Sequence, residues 1–233
     1  MVKISKAYYL IFILMGLIGC HEALSPDPAS LGYDYFPLNT GDIRIYNVLR
    51  IEHKTDLTSD TTRYQLKEVV GSTFTSGGEE SYKLERYTRL TEADDWQAGE
   101  VWSARINNYQ AVVVENNVPI IKLSFPLTED RRWDGNAMNS LAYDEFKMIN
   151  LGDPFIVETQ HFVSSLEMVK EEALDPSESV TDSYHKEYFA RGVGLIYRVD
   201  IDRKYCNEEP CPPSKIDFGL ELEYKLIDYQ LHD

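Results

Sequence analysis

Leu195-Ile196-Tyr197-Arg198-Val199-Asp200-Ile201-Asp202 and, further on, Ile216-Asp217-Phe218-Gly219-Leu220-Glu221-Leu222-Glu223-Tyr224-Lys225-Leu226 both alternate with a period of two. A helix would repeat its apolar residues every three or four positions, so these runs read as strands. In the first, Leu195, Tyr197, Val199 and Ile201 share a face, opposite Ile196, Arg198, Asp200 and Asp202. In the second, Ile216, Phe218, Leu220, Leu222, Tyr224 and Leu226 share a face, opposite Asp217, Gly219, Glu221, Glu223 and Lys225. Cys206-Asn207-Glu208-Glu209-Pro210-Cys211 and Pro212-Pro213 separate the two runs. The pattern predicts a long antiparallel hairpin with one face buried and one wet.

Working back from this hairpin, the same period recurs. Tyr82, Leu84, Arg86 and Thr88 alternate with Lys83, Glu85 and Tyr87, and Ile43, Ile45 and Asn47 alternate with Arg44, Tyr46 and Val48. The runs 62–70 and 80–90 are separated by a Gly- and Ser-rich stretch. Asn107-Asn108 and Asn116-Asn117 join the runs 101–106, 111–114 and 118–123, and Asn tolerates the positive φ of tight hairpin turns. Residues 125–140 read as a long connection and 141–149 and 154–170 as strands, with a helical turn around Phe162–Val169 as the alternative. Residues 170–179 are acidic, with Pro176, and read as a loop or short helix. No long amphipathic helix and no β–α alternation is present, which argues against a doubly wound fold. The expected fold is mainly β: an antiparallel curved sheet or half-open barrel, in a single domain over residues 35–233.

The N-terminus carries a different signal. Lys3 and Lys6 precede the uncharged run Ala7–Gly19, which His21 and Glu22 end. That is the layout of a secretory signal peptide, and the run is shorter than the about 20 apolar residues a membrane-spanning helix needs. Leu17-Ile18-Gly19-Cys20 is similar to the bacterial lipobox. A thiol takes up a diacylglyceryl group as a thioether, and a small residue before it leaves the scissile bond accessible. Residues 1–19 are therefore expected to leave as a signal peptide. Cys20 is then the lipidation site, and a membrane is the partner reached through it. Pro26, Pro28 and Gly32 mark residues 20–34 as the lipidated Cys and a flexible tether.

The whole chain has a net charge of −16, and the signal peptide takes away two lysines and no acid. So acidic a surface repels nucleic acid and excludes it as a partner. With Cys20 committed to lipid, Cys206 and Cys211 remain as an even pair in an exported chain, where disulfides persist. Closing so short a loop stabilises by roughly 2 kcal/mol on the chain-entropy account. The competing reading is a metal site completed by Glu208 and Glu209, the only neighbouring ligands.

Tyr35-Phe36-Pro37-Leu38-Asn39-Thr40-Gly41-Asp42 and Tyr188-Phe189-Ala190-Arg191-Gly192-Val193-Gly194-Leu195-Ile196 are the two most distinctive stretches; Phe125-Pro126-Leu127 and Trp133-Asp134-Gly135 lie between them. Together with the lipobox they resemble lipoproteins of unknown function from Bacteroidetes. Arg44 and Tyr46 match that pattern more loosely than the rest. The resemblance implies a curved antiparallel sheet in an envelope lipoprotein, and implies no activity; the lipid anchor is expected in a membrane of the cell envelope, the outer membrane first, on its periplasmic side or at the cell surface. The glycines read as architecture; no helix follows them to form a phosphate cradle.

No catalytic constellation stands out. His21, His53, His161, His185 and His232 lack metal-ligand spacing and read as surface or packed side chains. There is no Gly-x-Ser-x-Gly elbow, and with 39 acids, neighbours such as Asp94-Asp95, Glu129-Asp130, Glu171-Glu172 and Glu208-Glu209 arise by chance. Arg131, Arg132 and Trp133 offer a sugar- or anion-binding motif, but a loop pinned by a buried Trp, with the arginines exposed, is the preferred reading, since Trp is usually largely buried. The sequence thus predicts a non-enzymatic envelope lipoprotein with no cofactor and no metal. It would bind a hydrophobic or amphipathic small molecule in a sheet concavity, or else serve as a scaffold for another envelope protein.

Overall fold

The computed structural model describes residues 28–170, 181–206 and 215–232. It consists of twelve strands in one antiparallel sheet that curls almost closed into a barrel, a single domain as the alternation predicts. The strands are β1 (Ile43–His53), β2 (Ser59–Ser76), β3 (Glu79–Arg89), β4 (Gln97–Ile106), β5 (Gln110–Glu115) and β6 (Val118–Ser124). They continue as β7 (Arg132–Asp134), β8 (Glu145–Val157), β9 (Gln160–Lys170), β10 (Thr181–Ala190), β11 (Gly194–Tyr205) and β12 (Ile216–Gln230). Their order is β6-β5-β4-β3-β2-β1-β12-β11-β10-β9-β8-β7. Two meanders are therefore joined where the first strand pairs with the last.

Local sequence explains the turns. Asn116 and Asn117 adopt φ of 50° and 66°, and Gly77 and Gly78 adopt 61° and 84°, the positive values that two-residue hairpins demand. The Asn107 turn works differently: its side-chain oxygen accepts the backbone N–H groups of Tyr109 and Gln110. The Gly- and Ser-rich stretch after residue 70 continues β2 as far as Ser76. Residues 160–170 form β9, so the helical alternative around Phe162–Val169 is overturned; pairing of Phe162 with Phe155 and Val169 with Lys147 holds them extended. The expected connection 125–140 contains the short strand β7. The acidic stretch 171–180 lies outside the described residues.

Strands β6 and β7 are the two ends of the sheet, and they meet. The Ile121 N–H donates to the Gly135 carbonyl at 2.9 Å, and the Trp133 indole N–H donates to the Ile121 carbonyl at 2.9 Å. The Asn139 side-chain amide reaches the Pro119 carbonyl at 2.8 Å. These contacts cover edges that would otherwise be open to pairing with another chain.

The segment 28–42 stoppers one end of the barrel. Within the flexible tether expected over residues 20–34, a helical turn spans Pro28–Leu31, and a 3-10 turn spans Tyr33–Tyr35 at its end. Proline suits the first turn of a helix, where its missing N–H has no partner to lose, so Pro28 opens this turn rather than preventing it. Tyr35 and Phe36 are buried among Val70, Leu84, Leu123, Phe125, Met148, Leu166 and Phe189. The Gly192 N–H donates to the Asp34 carbonyl at 2.6 Å, and Tyr33 meets Phe125 edge-on at 4.6 Å. Arg44 donates to the carbonyls of Val193 and Pro37 at 2.5 and 3.1 Å. The aromatic-Pro-Leu stretch, Phe125-Pro126-Leu127 and the Gly-Val-Gly turn thus converge on one plug, and Gly194, at φ +91°, leaves room for the Arg44 guanidinium.

The hairpin of β11 and β12 forms, but its faces differ from the expectation. Residues directly opposed in an antiparallel pair lie on the same face. Tyr197, Val199 and Ile201 oppose Lys225, Glu223 and Glu221, while Arg198, Asp200 and Asp202 oppose Tyr224, Leu222 and Leu220. The two apolar rows therefore lie on opposite faces of the sheet. Neither face is simply buried or simply wet. Outward-facing Tyr197 is sheltered by Tyr188 and by Phe155 of the β8–β9 hairpin, with ring centroids 5.8 and 6.0 Å away. Phe155 stacks on Tyr188 at 3.9 Å, and Gln160 at the hairpin tip donates to the Ile227 carbonyl at 2.6 Å. The inward charged row meets partners inside the barrel.

Candidate functional site inside the barrel

Strands β5, β6, β10 and β11 place Glu115, Lys122, Glu187 and Arg198 on the lumen side. Lys122 interrupts the apolar run Ile120-Ile121-Lys122-Leu123 and is 3% exposed. Its Nζ lies 2.7 Å from Glu115 Oε1 and 2.8 Å from Glu187 Oε1. Arg198 Nη1 lies 3.1 Å from Glu115 Oε1, and Arg198 Nε donates to Asp200 Oδ2 at 2.6 Å. His185 completes the chain. Its Nδ1 meets Asp200, its Nε2 lies 3.4 Å from Glu187 Oε1, and its ring stacks on Phe146 at 5.7 Å.

Burial alone would push these groups toward neutrality, and their neighbours overrule it. For Glu187, burial raises the carboxyl, but Lys122, His185 and Arg198 outweigh it and hold the group well below the usual carboxylate range. Glu115 is lowered despite its burial by Arg198 and Lys122. Asp200 is lowered by Arg198 and His185 against the same burial penalty. His185 is raised: burial opposes its charge, yet the hydrogen bond to Asp200 and the nearby Glu187 carboxylate prevail. The set is therefore ionised and mutually neutralising, which is what makes charges tolerable inside a barrel.

Two chambers flank this layer. Toward the plug lies a small cavity of about 60 Å³, walled by Phe36, Leu38, Leu84, Val113, Phe189 and Leu195. Toward the opposite end opens a mouth of about 990 Å³, bordered by Arg50, Tyr64, Thr88, Gln97, Leu220 and Leu222. Leu66, Arg86, Trp102, Glu115, Arg198 and Tyr224 line both, so the two adjoin. At their junction the Arg86 guanidinium lies over the Trp102 ring at 3.6 Å and donates from Nη2 to the Tyr224 hydroxyl at 3.2 Å. The Trp102 indole N–H donates to Glu100 at 3.0 Å. Burial lifts the neighbouring Tyr64 hydroxyl to about 12, with Tyr224 adding to it, so Tyr64 is a neutral hydroxyl at physiological pH.

The residues singled out from sequence fall elsewhere. Cys20, the expected lipidation site, and Cys211 lie outside the described residues. Cys206 directly follows β11, buried, with its N–H donating to the Lys215 carbonyl at 2.8 Å. Trp133 seals the seam of the barrel. Arg131 donates to Ser124 Oγ at 3.0 Å and to the Pro126 carbonyl at 3.2 Å, and Arg132 pairs with Glu145, so the three serve the closure and not the lumen. His53 pairs with Glu221 at 2.7 Å, and His185 alone of the described histidines enters the buried network. Among the described residues no group of three or more His, Cys, Asp or Glu is arranged to hold a metal ion. Sequence reasoning passed over Lys122, whose signal is a lone charge inside an apolar strand.

No protein-family model matches the chain, and no curated protein does. Two crystal structures share its outline. One, from Bacteroides fragilis, is provisionally described as an exported protein with a YmcC-like fold; it is 11% identical, with a TM-score of 0.41, covering 83% of this chain and 98% of that one. The other, from Parabacteroides distasonis, is provisionally described as a lipoprotein; it is 10% identical, with a TM-score of 0.37, covering 84% and 98%. Scores this low carry no argument about what the chain does.

Proposed function

We propose that this chain is an envelope lipoprotein, cut before Cys20 and tethered by lipid on that residue, whose barrel binds an amphipathic small molecule. The observation that carries the reading is the pair of adjoining hollows, a wide mouth and a small apolar chamber behind the plug, which share Leu66, Trp102 and Tyr224 as walls. Small-molecule sites have this character: a concavity of roughly 300–1,000 Å³, largely apolar, with a few convergent polar groups. The aromatic and leucine walls would take the apolar body, and the arginine-bearing mouth would hold the polar end near solvent. Lipid on Cys20 keeps the barrel at a membrane surface, where amphipathic molecules are concentrated.

The test is native mass spectrometry of the full chain purified from host membranes, before and after incubation with dodecan-1-ol. A bound mass that denaturation removes, and that Thr88→Trp at the mouth reduces, is the expected result. A chain that carries nothing from the host and takes up no dodecanol overturns the lumen reading. Mass analysis of the denatured chain also reads the anchor: cleavage after Gly19 with acyl chains on Cys20 is expected, and an unmodified Cys20 refutes it.

A further inference from the structure

Four arginines line the mouth, and three have strong acceptors. Arg50 donates to Glu52 at 2.7 Å, Arg89 to Gln65 at 2.8 Å and the Glu92 carbonyl at 3.1 Å, and Arg198 to Glu115 and Asp200. Arg86 is the exception. It is 8% exposed, and its Nε donor has no hydrogen-bond partner. The Glu68 carboxylate stands 3.8 Å from Nε and Glu100 stands 4.0 Å from Nη1, both beyond hydrogen-bond length. A buried cationic donor left unmet costs free energy, so an unfilled guanidinium facing a cavity points to a ligand group.

We propose that Arg86 is the headgroup site of the lumen, and that it takes the carboxylate of a single-chain amphipathic acid. The inference rests on the lumen-binding reading and names the ligand's chemistry. Trp102 against one face of the guanidinium and Tyr224 on Nη2 fix its plane before any ligand arrives, which lowers the cost of ordering it on binding. A planar fork of N–H donors matches the two oxygens of a carboxylate. Glu68 and Glu100 already set two negative charges beside Arg86, so charge must be kept low: a monoanionic carboxylate adds half the repulsion that a dianionic phosphate monoester would. A quaternary ammonium head would meet Arg86 itself. The leucines and aromatic rings shared by the two chambers then lie where the hydrocarbon part of such an acid would run.

The test uses one chain length and varies only the head. Binding of dodecanoate, dodecan-1-ol, dodecyl phosphate and dodecyltrimethylammonium to the full chain is measured by calorimetry at pH 7.5, below their micelle concentrations. Dodecanoate is expected to bind at least about ten-fold tighter than dodecan-1-ol, the size expected of a charge-assisted hydrogen-bonded pair. Arg86→Gln should erase that ratio, and Arg86→Lys, which keeps charge but loses the fork, should retain only part of it. Equal affinity of the wild-type chain for acid and alcohol overturns the headgroup assignment, as does a tighter fit for the phosphate or the ammonium. A ratio that survives Arg86→Gln overturns it equally. The wild-type series decides this even if a variant fails to fold. If none of the four binds, the lumen reading falls and the headgroup assignment falls with it; alcohol binding without acid preference fells the assignment alone.

Discussion

Replacing Lys122 by Met should destabilise the barrel more than any surface change, for a reason visible in its surroundings. The methylene stem is preserved, but the ammonium that stands 2.7 Å from Glu115 and 2.8 Å from Glu187 is gone. Glu187 is 1% exposed and one of its oxygens, Oε2, already lacks a hydrogen-bond partner. Removing one partner of a buried ion pair typically costs 3–5 kcal/mol, because the other charge is left uncompensated. For a domain of this size each kcal/mol moves Tm by about 2–4 °C, so a fall of roughly 6–20 °C is expected at pH 7.5. The pH dependence supplies a second check. In the wild type Glu187 is held low, so its contribution is present above the ordinary carboxylate pKa and is lost as pH falls through the depressed one. In the variant the largest favourable influence has gone and burial gains weight. The carboxyl rises and the folded state takes up a proton more readily, so the deficit should narrow as pH falls from 7.5 to 5. Adding Glu187→Gln to Lys122→Met should recover part of the loss. Differential scanning calorimetry of the three chains at both pH values measures all of this. A Tm fall of under about 2 °C, or a deficit that widens toward pH 5, would refute the claim that Lys122 neutralises a buried carboxylate pair.

Three further outcomes follow from other parts of the molecule. Gly194→Ala places a methyl where φ is +91° and the Arg44 guanidinium is 3.1 Å away; a loss of about 1–3 kcal/mol in urea denaturation is expected, and a neutral result would show the plug is not tightly fitted. His185 should titrate above the ordinary histidine value, since Asp200 and Glu187 outweigh its burial. Its raised folded pKa adds stability that is complete below the unfolded value, about 6.5, and lost as pH rises through the folded one; an NMR titration placing it below 6.5 would contradict the network. For the proposed Cys206–Cys211 bridge, the oxidised chain should weigh two mass units less than the reduced one, and reduction should cost roughly 2 kcal/mol; free thiols in the exported protein would remove the bridge.

The class of fold was legible because period-two alternation is local and survives whatever the strand later pairs with. Asn116-Asn117 announced its turn for the same reason: positive φ is a property of the residue and its neighbours. The faces of β11 were not legible. Tyr197-Arg198-Val199-Asp200 reads as an apolar row backed by a polar one, and the natural inference sends the apolar row inward. What reverses it is register with β12, set by pairing and by irregularities such as the bulge at Tyr188/Phe189, where β10 meets β11. One residue of slip exchanges the faces of a strand, and nothing inside a single strand reports it.

The same gap hid the lumen site. Glu115, Lys122, Glu187 and Arg198 are separated by up to 83 residues and are ordinary charges until the curl of the sheet brings β5 and β6 opposite β10 and β11. The composition pointed outward, since an acidic chain suggests a solvated acidic surface. Here some of those acids lie inside, matched by the few basic residues present. That placement has a consequence for ligand chemistry. Lys122 and Arg198 are consumed in neutralising Glu115, Glu187 and Asp200, and offer nothing to a ligand without breaking a buried pair. Arg86, two strands from β5, is oriented by an indole face and a phenol, with Glu68 and Glu100 at 3.8 and 4.0 Å, too far to hydrogen-bond it. An aromatic face orients a guanidinium without using its edge donors. The Nε donor of Arg86 is thus without a hydrogen-bond partner beside a hollow walled with leucine and aromatic rings, and the proposed headgroup site rests on that difference from Lys122 and Arg198.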